Sequence, residues 1–273
     1  MKICPVCKEK LVRENKTYKC INNHCFDMAK QGYLNLLLSN QKHSKTPGDD
    51  KEMVLSRKRF LEKDYYKIIS DNVNNIVFKL RDSNSLEILD IGCGEGYYTG
   101  RLKKFLDENG IESNITGIDI SKEAINMATK YTKDVYWLVG NSKNLPIVDH
   151  SLDFITALFT VVNQDELKRT LKKGGYIIHV TANPNHLIEI KELIYDEIKV
   201  KSDKYIRLDF ETIESYDLVH QVKIDNREDA LNLLKMTPHY YHIKKERRGV
   251  LDELERLDIT IDIKITIYQT SID

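Results

Sequence analysis

The sequence predicts an α/β chain: a mostly parallel, helix-flanked sheet with an antiparallel strand at its carboxyl-terminal edge, preceded by a small metal-binding module. Three observations carry this expectation. Four of the five cysteines fall within the first 25 of 273 residues, as Cys4, Cys7, Cys20 and Cys25. An apolar run, Leu86 to Ile91, opens into the glycine-rich turn Gly92-Cys93-Gly94-Glu95-Gly96. A second run, Asn114 to Asp119, ends on a carboxylate 25 positions after Gly94.

The cysteines come first in the chain. Cys4-x2-Cys7, followed after twelve residues by Cys20-Ile-Asn-Asn-His24-Cys25, is the spacing by which a short segment wraps a tetrahedral zinc ion. Met1-Lys2-Ile3 leads straight into Cys4 with no apolar signal segment, so a reducing cytoplasm is expected and disulfides are disfavoured. Cys4, Cys7 and Cys20 are the expected ligands. The fourth is open on spacing alone, because His24 and Cys25 are adjacent and either loop length closes a site.

Residues 1–38 are therefore read as a zinc-binding module. Residues 39–50 are polar and rich in turn formers, including Thr46-Pro47-Gly48-Asp49, and read as a linker. From Lys51, the spacing of Met53, Arg57, Phe60 and Leu61, then of Ile68, Ile69, Val73, Ile76 and Val77, predicts two helices leading to a catalytic domain at 86–273. In that domain the first strand ends at the glycine turn, where backbone can approach a ligand closely, and Tyr97 to Asp107 continue as a helix. The second strand presents Asp119 where a carboxylate can accept both hydroxyls of an adenosine ribose. A third strand, Val135 to Val139, is followed by Asn141 where an adenine edge would be held. A fourth runs from Leu152 to Leu158. Leu171-Lys172-Lys173-Gly174-Gly175 reads as the turn into a fifth, Tyr176 to Val180. The alternation from Leu257 to Tyr268 marks a half-buried strand at the antiparallel edge.

Charge is balanced overall, 42 basic against 42 acidic residues, yet residues 1–60 hold thirteen Lys or Arg against six Asp or Glu. A basic zinc module on a mildly acidic body puts attraction for a polyanion at the amino-terminal end, with Lys42, Lys45 and Arg57 the expected contacts. No run of about eighteen apolar residues exists, so no membrane span is expected.

The succession from 86 to 185 resembles the Rossmann-like, S-adenosylmethionine-dependent class I methyltransferases. Glu95 in the turn would repel a dinucleotide pyrophosphate but is compatible with a cationic methyl donor. The whole chain resembles the bacterial 23S ribosomal RNA (guanine-N1) methyltransferases. The residues that carry the likeness are Cys4-Pro5-x-Cys7, Cys20-x3-His24, Phe26-Asp27-Met28-Ala29-Lys30-x-Gly32-Tyr33-x-Asn35-Leu36-Leu37, Pro47-Gly48-Asp49, Met53, Arg57, Phe60-Leu61, Tyr66, Asp90 to Thr99, His186-Leu187 and Met236-Thr237-Pro238.

This resemblance implies zinc held by Cys4, Cys7, Cys20 and His24, and S-adenosylmethionine touched by Tyr66, Gly94, Glu95 and His186, beside the Asp119 and Asn141 placed by position. It further implies a 23S rRNA hairpin-loop substrate, a cytoplasmic enzyme and a homodimer whose zinc modules shape an RNA cleft. No general base stands out among His186, Asp153 and Glu95. Tyr240-Tyr241 are read as core packing or as a stack for a flipped base. Where the family carries an aromatic-Ala-Pro turn facing the substrate, this chain reads Phe159-Thr160-Val161-Val162-Asn163. A small-molecule methyltransferase with a structural zinc knuckle is one alternative, and the altered loop motivates another, a catalytically silent RNA-binding relative.

Overall fold

The computed structural model describes residues 2–41, 47–198, 208–244, 249 and 254–271. The amino-terminal module supplies an antiparallel meander of β1 (Val12–Glu14), β2 (Thr17–Lys19) and β3 (Cys25–Asp27), then β4 (Leu34–Asn35). Helices α1 (Lys51–Leu61) and α2 (Lys67–Leu80) follow. The rest of the chain runs β5 (Ser85–Ile91), α3 (Tyr97–Glu108), β6 (Glu112–Asp119), α4 (Lys122–Tyr131), β7 (Tyr136–Val139), β8 (Leu152–Leu158), α5 (Gln164–Thr170), β9 (Leu171–Ala182), α6 (Ile188–Ile194), β10 (Glu211–Ile224), α7 (Arg227–Lys235) and β11 (Leu257–Gln269).

Eight strands form the central sheet in the order β10-β11-β9-β8-β5-β6-β7-β4. All neighbours are parallel except β10 with β11 and β11 with β9. Strand β5 is apolar on both faces because both are covered, as a central parallel strand requires. Leu86 and Ile88 meet Val73, Val77 and Leu106 of α2 and α3 on one face, whereas Leu89 and Ile91 pack with Ile147, Ile155 and Leu167 on the other.

Helix α1 starts where Asp50 accepts the Met53 N–H at 2.9 Å, and the same carboxylate accepts the Tyr241 hydroxyl at 2.8 Å. Loss of an N-cap costs about 1 kcal/mol. Asp50→Ala is therefore expected to lower the unfolding free energy by about that amount, read as a shifted denaturant midpoint at constant slope.

The amino-terminal module is docked onto the catalytic sheet. Strand β4 pairs with β7, the Leu36 N–H donates to the Val139 carbonyl at 2.8 Å, and the Ile3 N–H donates to the Pro146 carbonyl at 3.0 Å. Of the expected linker, Ser39–Gln41 form a single helical turn and residues 42–46, which include Lys42 and Lys45, lie outside the described residues.

Two sequence expectations change, for Leu171 to Gly175 and for the burial of β11, while the expected antiparallel edge is present. Leu171 to Gly175 do not form a separate turn but open β9, where Leu171 pairs with Leu152. The antiparallel edge consists of two strands, with β10 outermost and β11 inside it. Strand β11 is buried on both faces rather than half-buried: Ile259 to Ile267 fill the core on one side, while Thr260 and Asp262 on the other are 9% and 7% exposed. Their polarity is satisfied locally, since Glu189 accepts the Thr260 N–H at 2.9 Å and Asp262 accepts the Asn183 amide at 2.8 Å. Alternation here reflects a buried polar layer, not solvent.

Candidate active site and metal centre

The two halves of the cysteine motif close on one another. Each is a tight turn: Lys8 N–H donates to the Cys4 carbonyl at 2.9 Å and Asn23 N–H to the Cys20 carbonyl at 3.0 Å, with Lys8 and Asn23 both in the left-handed region. Ligand atoms of Cys4, Cys7, Cys20 and His24 all lie within 4.8 Å of one another. Cys7 Sγ is 3.6 Å from Cys20 Sγ, which in turn is 3.4 Å from His24 Nδ1. Tetrahedral zinc with bonds of about 2.0–2.3 Å sets its ligands about 3.3–3.8 Å apart, so the donor set and spacing fit that ion. Cys25, by contrast, is exposed, with its thiol turned to the Asn23 carbonyl at 3.4 Å. Of the two adjacent candidates, His24 joins the three cysteines and Cys25 stands outside the cluster.

At the carboxyl edge of the sheet, the turn after β5 carries Gly92, Gly94 and Gly96, all at positive φ. Gly96 has no room for a side chain, since a Cβ would lie 2.8 Å from the Trp137 ring. Gly94 is the open position: a Cβ there would meet only Arg57 Nη1, at 3.7 Å. Asp119, at the end of β6, accepts the Gly94 N–H at 3.0 Å through one oxygen and the Ser121 N–H at 2.8 Å through the other. A carboxylate has about four acceptor sites, so both oxygens retain capacity for hydroxyl groups. Burial raises the Asp119 pKa above the ordinary range.

Glu95 is 3% exposed, and burial pushes its carboxyl up to about 7, with Arg57 opposing the shift. Its Oε2 atom, like the buried Tyr66 hydroxyl, has no hydrogen-bond partner. Buried polar atoms without partners are rare and costly. Orphans in and beside a glycine turn suit a ligand bearing cationic and polar groups, as the methyl donor does.

Tyr66 and His186 come together, with ring centroids 6.1 Å apart. His186 is 9% exposed, and burial lowers its pKa to about 4. Its Nδ1 accepts the Asp262 N–H at 3.3 Å, so the neutral ring carries its proton on Nε2 and offers a donor. Asn141 stands after β7, two strands from the glycine turn, with its side-chain oxygen on the Lys143 N–H at 2.9 Å. Asp153 lies at the opposite, amino-terminal edge, holding the Glu87 N–H at 2.8 Å and the Lys172 ammonium at 2.6 Å. Geometry removes it as a general base.

Arg57 requires a correction. Expected as an RNA contact, it is ion-paired to Asp49 at 2.6 Å and donates to the Met236 carbonyl at 3.3 Å. Burial would lower its pKa, but Asp49, Glu95 and Asp119 outweigh that and keep the guanidinium charged. Ser121 Oγ donates to the Asp49 carbonyl at 2.8 Å, which ties the segment ahead of α1 to the Asp119 turn. Pro47-Gly48-Asp49 and Arg57 were visible as motif residues, but their pairing across the glycine turn is a property of the fold. Tyr240 packs against the core, while Tyr241 is 58% exposed and bonded to Asp50. A cavity of about 530 Å³ lies at the other edge of the sheet, beside His150, Lys173 and Gln269, and is not lined by any of these site residues.

Comparison with known proteins agrees with both halves. Residues 3–45 match the zinc-ribbon family described as RlmA, N-terminal, and residues 88–175 match the methyltransferase domain family. The protein YxjB of Bacillus subtilis, which carries a provisional 23S rRNA (guanine-N1) methyltransferase name, is 29% identical over 97% of this chain and 95% of its own. The 23S rRNA (guanine(748)-N(1))-methyltransferase of Streptomyces fradiae is 27% identical over 88% of this chain and 85% of its own. This chain joins an RlmA-type amino-terminal zinc ribbon to a methyltransferase domain, and it is similar along both to proteins named as 23S rRNA (guanine-N1) methyltransferases.

The methyltransferase uses S-adenosylmethionine and carries a zinc ribbon. Its fold is also that of a crystallised Bacillus halodurans protein named as a methyltransferase, with a TM-score of 0.51 at 13% identity over 72% of this chain and 98% of the other. Among the described residues of the enzyme, no helix is long and apolar enough to cross a membrane.

Proposed function

We propose that the enzyme transfers a methyl group to N1 of a guanine in a hairpin loop of 23S ribosomal RNA. The observation that carries this reading is co-linearity with relatives of that name across both modules, over 97% of the chain in one case. A loop is the expected setting because N1 lies inside the pairing edge of a helix and is reached only on an unstacked base.

In this reading Cys4, Cys7, Cys20 and His24 hold zinc, and residues 1–38, 39–85 and 86–273 act as ribbon, connector and catalytic domain. Asp119 and Asn141 take the adenosine end of the donor. Gly94, Glu95, Tyr66 and His186 surround its methionine end. The donor supplies an electrophilic methyl on a sulfonium; the protein supplies alignment and charge placement. His186, neutral at pH 7 and already accepting the Asp262 N–H, does not take the N1 proton; its Nε2–H donates to an acceptor in the site. The enzyme acts in the cytoplasm, as a homodimer whose two ribbons flank the RNA.

Tritium-labelled S-adenosylmethionine and 23S rRNA lacking the modification provide the test. Label is expected in the RNA and a primer-extension stop at a loop guanine. Donor binding without label in any RNA fragment would contradict the reading.

A further inference from the structure

We propose that Phe159 is the platform on which the acceptor base stacks, an inference that rests on the rRNA reading and assigns the aromatic face that receives the base.

Sheet order places Phe159 relative to the donor turn. The glycine turn follows β5; β6 and β7, with Asp119 and Asn141, lie on one side of it, and β8, ending next to Phe159, lies on the other. Phe159 therefore sits on the flank away from the adenosine end. Its backbone is inverted, at φ 55°, a conformation that bulky residues rarely adopt and that concentrates at ligand sites. That backbone is held on both sides. Phe159 N–H donates to the Val180 carbonyl at 2.9 Å, and Thr160 packs so closely on the glycine turn that a Cβ on Gly92 would lie 2.7 Å from Thr160 Cβ.

The inversion leaves the ring backed on one face and open on the other. Phe159 stacks on the His186 imidazole, with centroids 5.6 Å apart and planes 23° apart, and is nonetheless 41% exposed. His186 is itself fixed by the Asp262 N–H and by the edge of Tyr66. A singly exposed apolar residue is ordinary. An aromatic ring held outward by an inverted backbone, rigidly backed and beside the donor turn, is suited to a flat purine. Base stacking on an aromatic is sequence-tolerant and contributes about ten- to hundredfold in affinity.

The test uses the full-length enzyme with a hairpin transcript of the 23S loop and an otherwise identical transcript that is abasic at the target guanine. Phe159→Ala and Phe159→Leu are expected to lower kcat/KM for RNA about ten- to hundredfold, Phe159→Tyr to stay within about threefold, and donor Kd by calorimetry to stay within about twofold. In Phe159→Trp, the introduced indole is expected to be quenched by the guanine hairpin and not by the abasic one; buried Trp137 supplies the background, measured in the wild type. Equal quenching by both hairpins, or wild-type kcat/KM in Phe159→Leu, overturns the platform. A parallel loss of donor affinity also overturns it, by placing Phe159 in the donor site. Guanine-dependent quenching in an enzyme that labels no RNA would instead sustain the platform and contradict the methylation reading.

Discussion

Cys4→Ser is expected to reduce bound zinc from one ion per chain to a small fraction and to destabilise the amino-terminal half of the molecule. Cys4 is completely buried and packs with Leu11, Cys20 and Leu34, so the metal site is continuous with the core beneath β4 and β7. Structural zinc supplies on the order of 10 kcal/mol to small ribbons, far more than the meander of three-residue strands gains from its own pairing. Because β4 is an edge strand of the catalytic sheet, metal loss should propagate to the donor site as weakened S-adenosylmethionine binding. His24→Ala is expected to behave like Cys4→Ser, and Cys25→Ala to keep full zinc content by atomic absorption. Zinc lost from the Cys25 variant and retained in the His24 variant would reverse the ligand assignment.

Donor affinity is expected to rise about tenfold between pH 6 and pH 8, with proton release on binding, through Glu95. Its carboxyl, raised to about 7 by burial, is mostly neutral at pH 6 and mostly ionised at pH 8. A cationic donor prefers the ionised form, so binding pulls the proton off. The sign for folding is opposite. A folded-state pKa above the unfolded value makes ionisation a penalty, absent below the unfolded value near 4.5, growing up to about 7 and constant beyond. Glu95→Gln is thus expected to stabilise the unliganded protein at pH 8, by on the order of 3 kcal/mol, while weakening donor binding and flattening its pH dependence. The donor's own amino group titrates identically with both proteins, so calorimetric profiles of the pair isolate Glu95. The same slope in both proteins would show that Glu95 does not carry the linkage.

Much of this arrangement is legible in the residues. The apolar run Leu86 to Ile91, the glycine turn and Asp119 locate the donor site because their constraints are local: backbone freedom at the turn and a carboxylate at a strand end. The zinc cluster is readable for the same reason, up to the adjacent His24 and Cys25, whose roles depend on how β3 pairs with β2. Strand β10 escapes reading because its core face, Tyr216, Leu218, Val222 and Ile224, is interrupted by the exposed His220 and flanked by a polar face. The Arg57–Asp49 pair and the inverted backbone of Phe159 carry no sequence periodicity. Both are set by tertiary packing against the glycine turn.

In the proposed reaction a ribbon and a donor sheet together methylate N1 of guanine in 23S rRNA. Nucleoside mass spectrometry of that RNA, after incubation with the enzyme and isotopically labelled S-adenosylmethionine, tests it most directly. Labelled 1-methylguanosine mapping to one hairpin loop is the expected result; labelled methyl on another nucleoside or another guanine atom, or none in RNA at all, would rule the proposed reaction out.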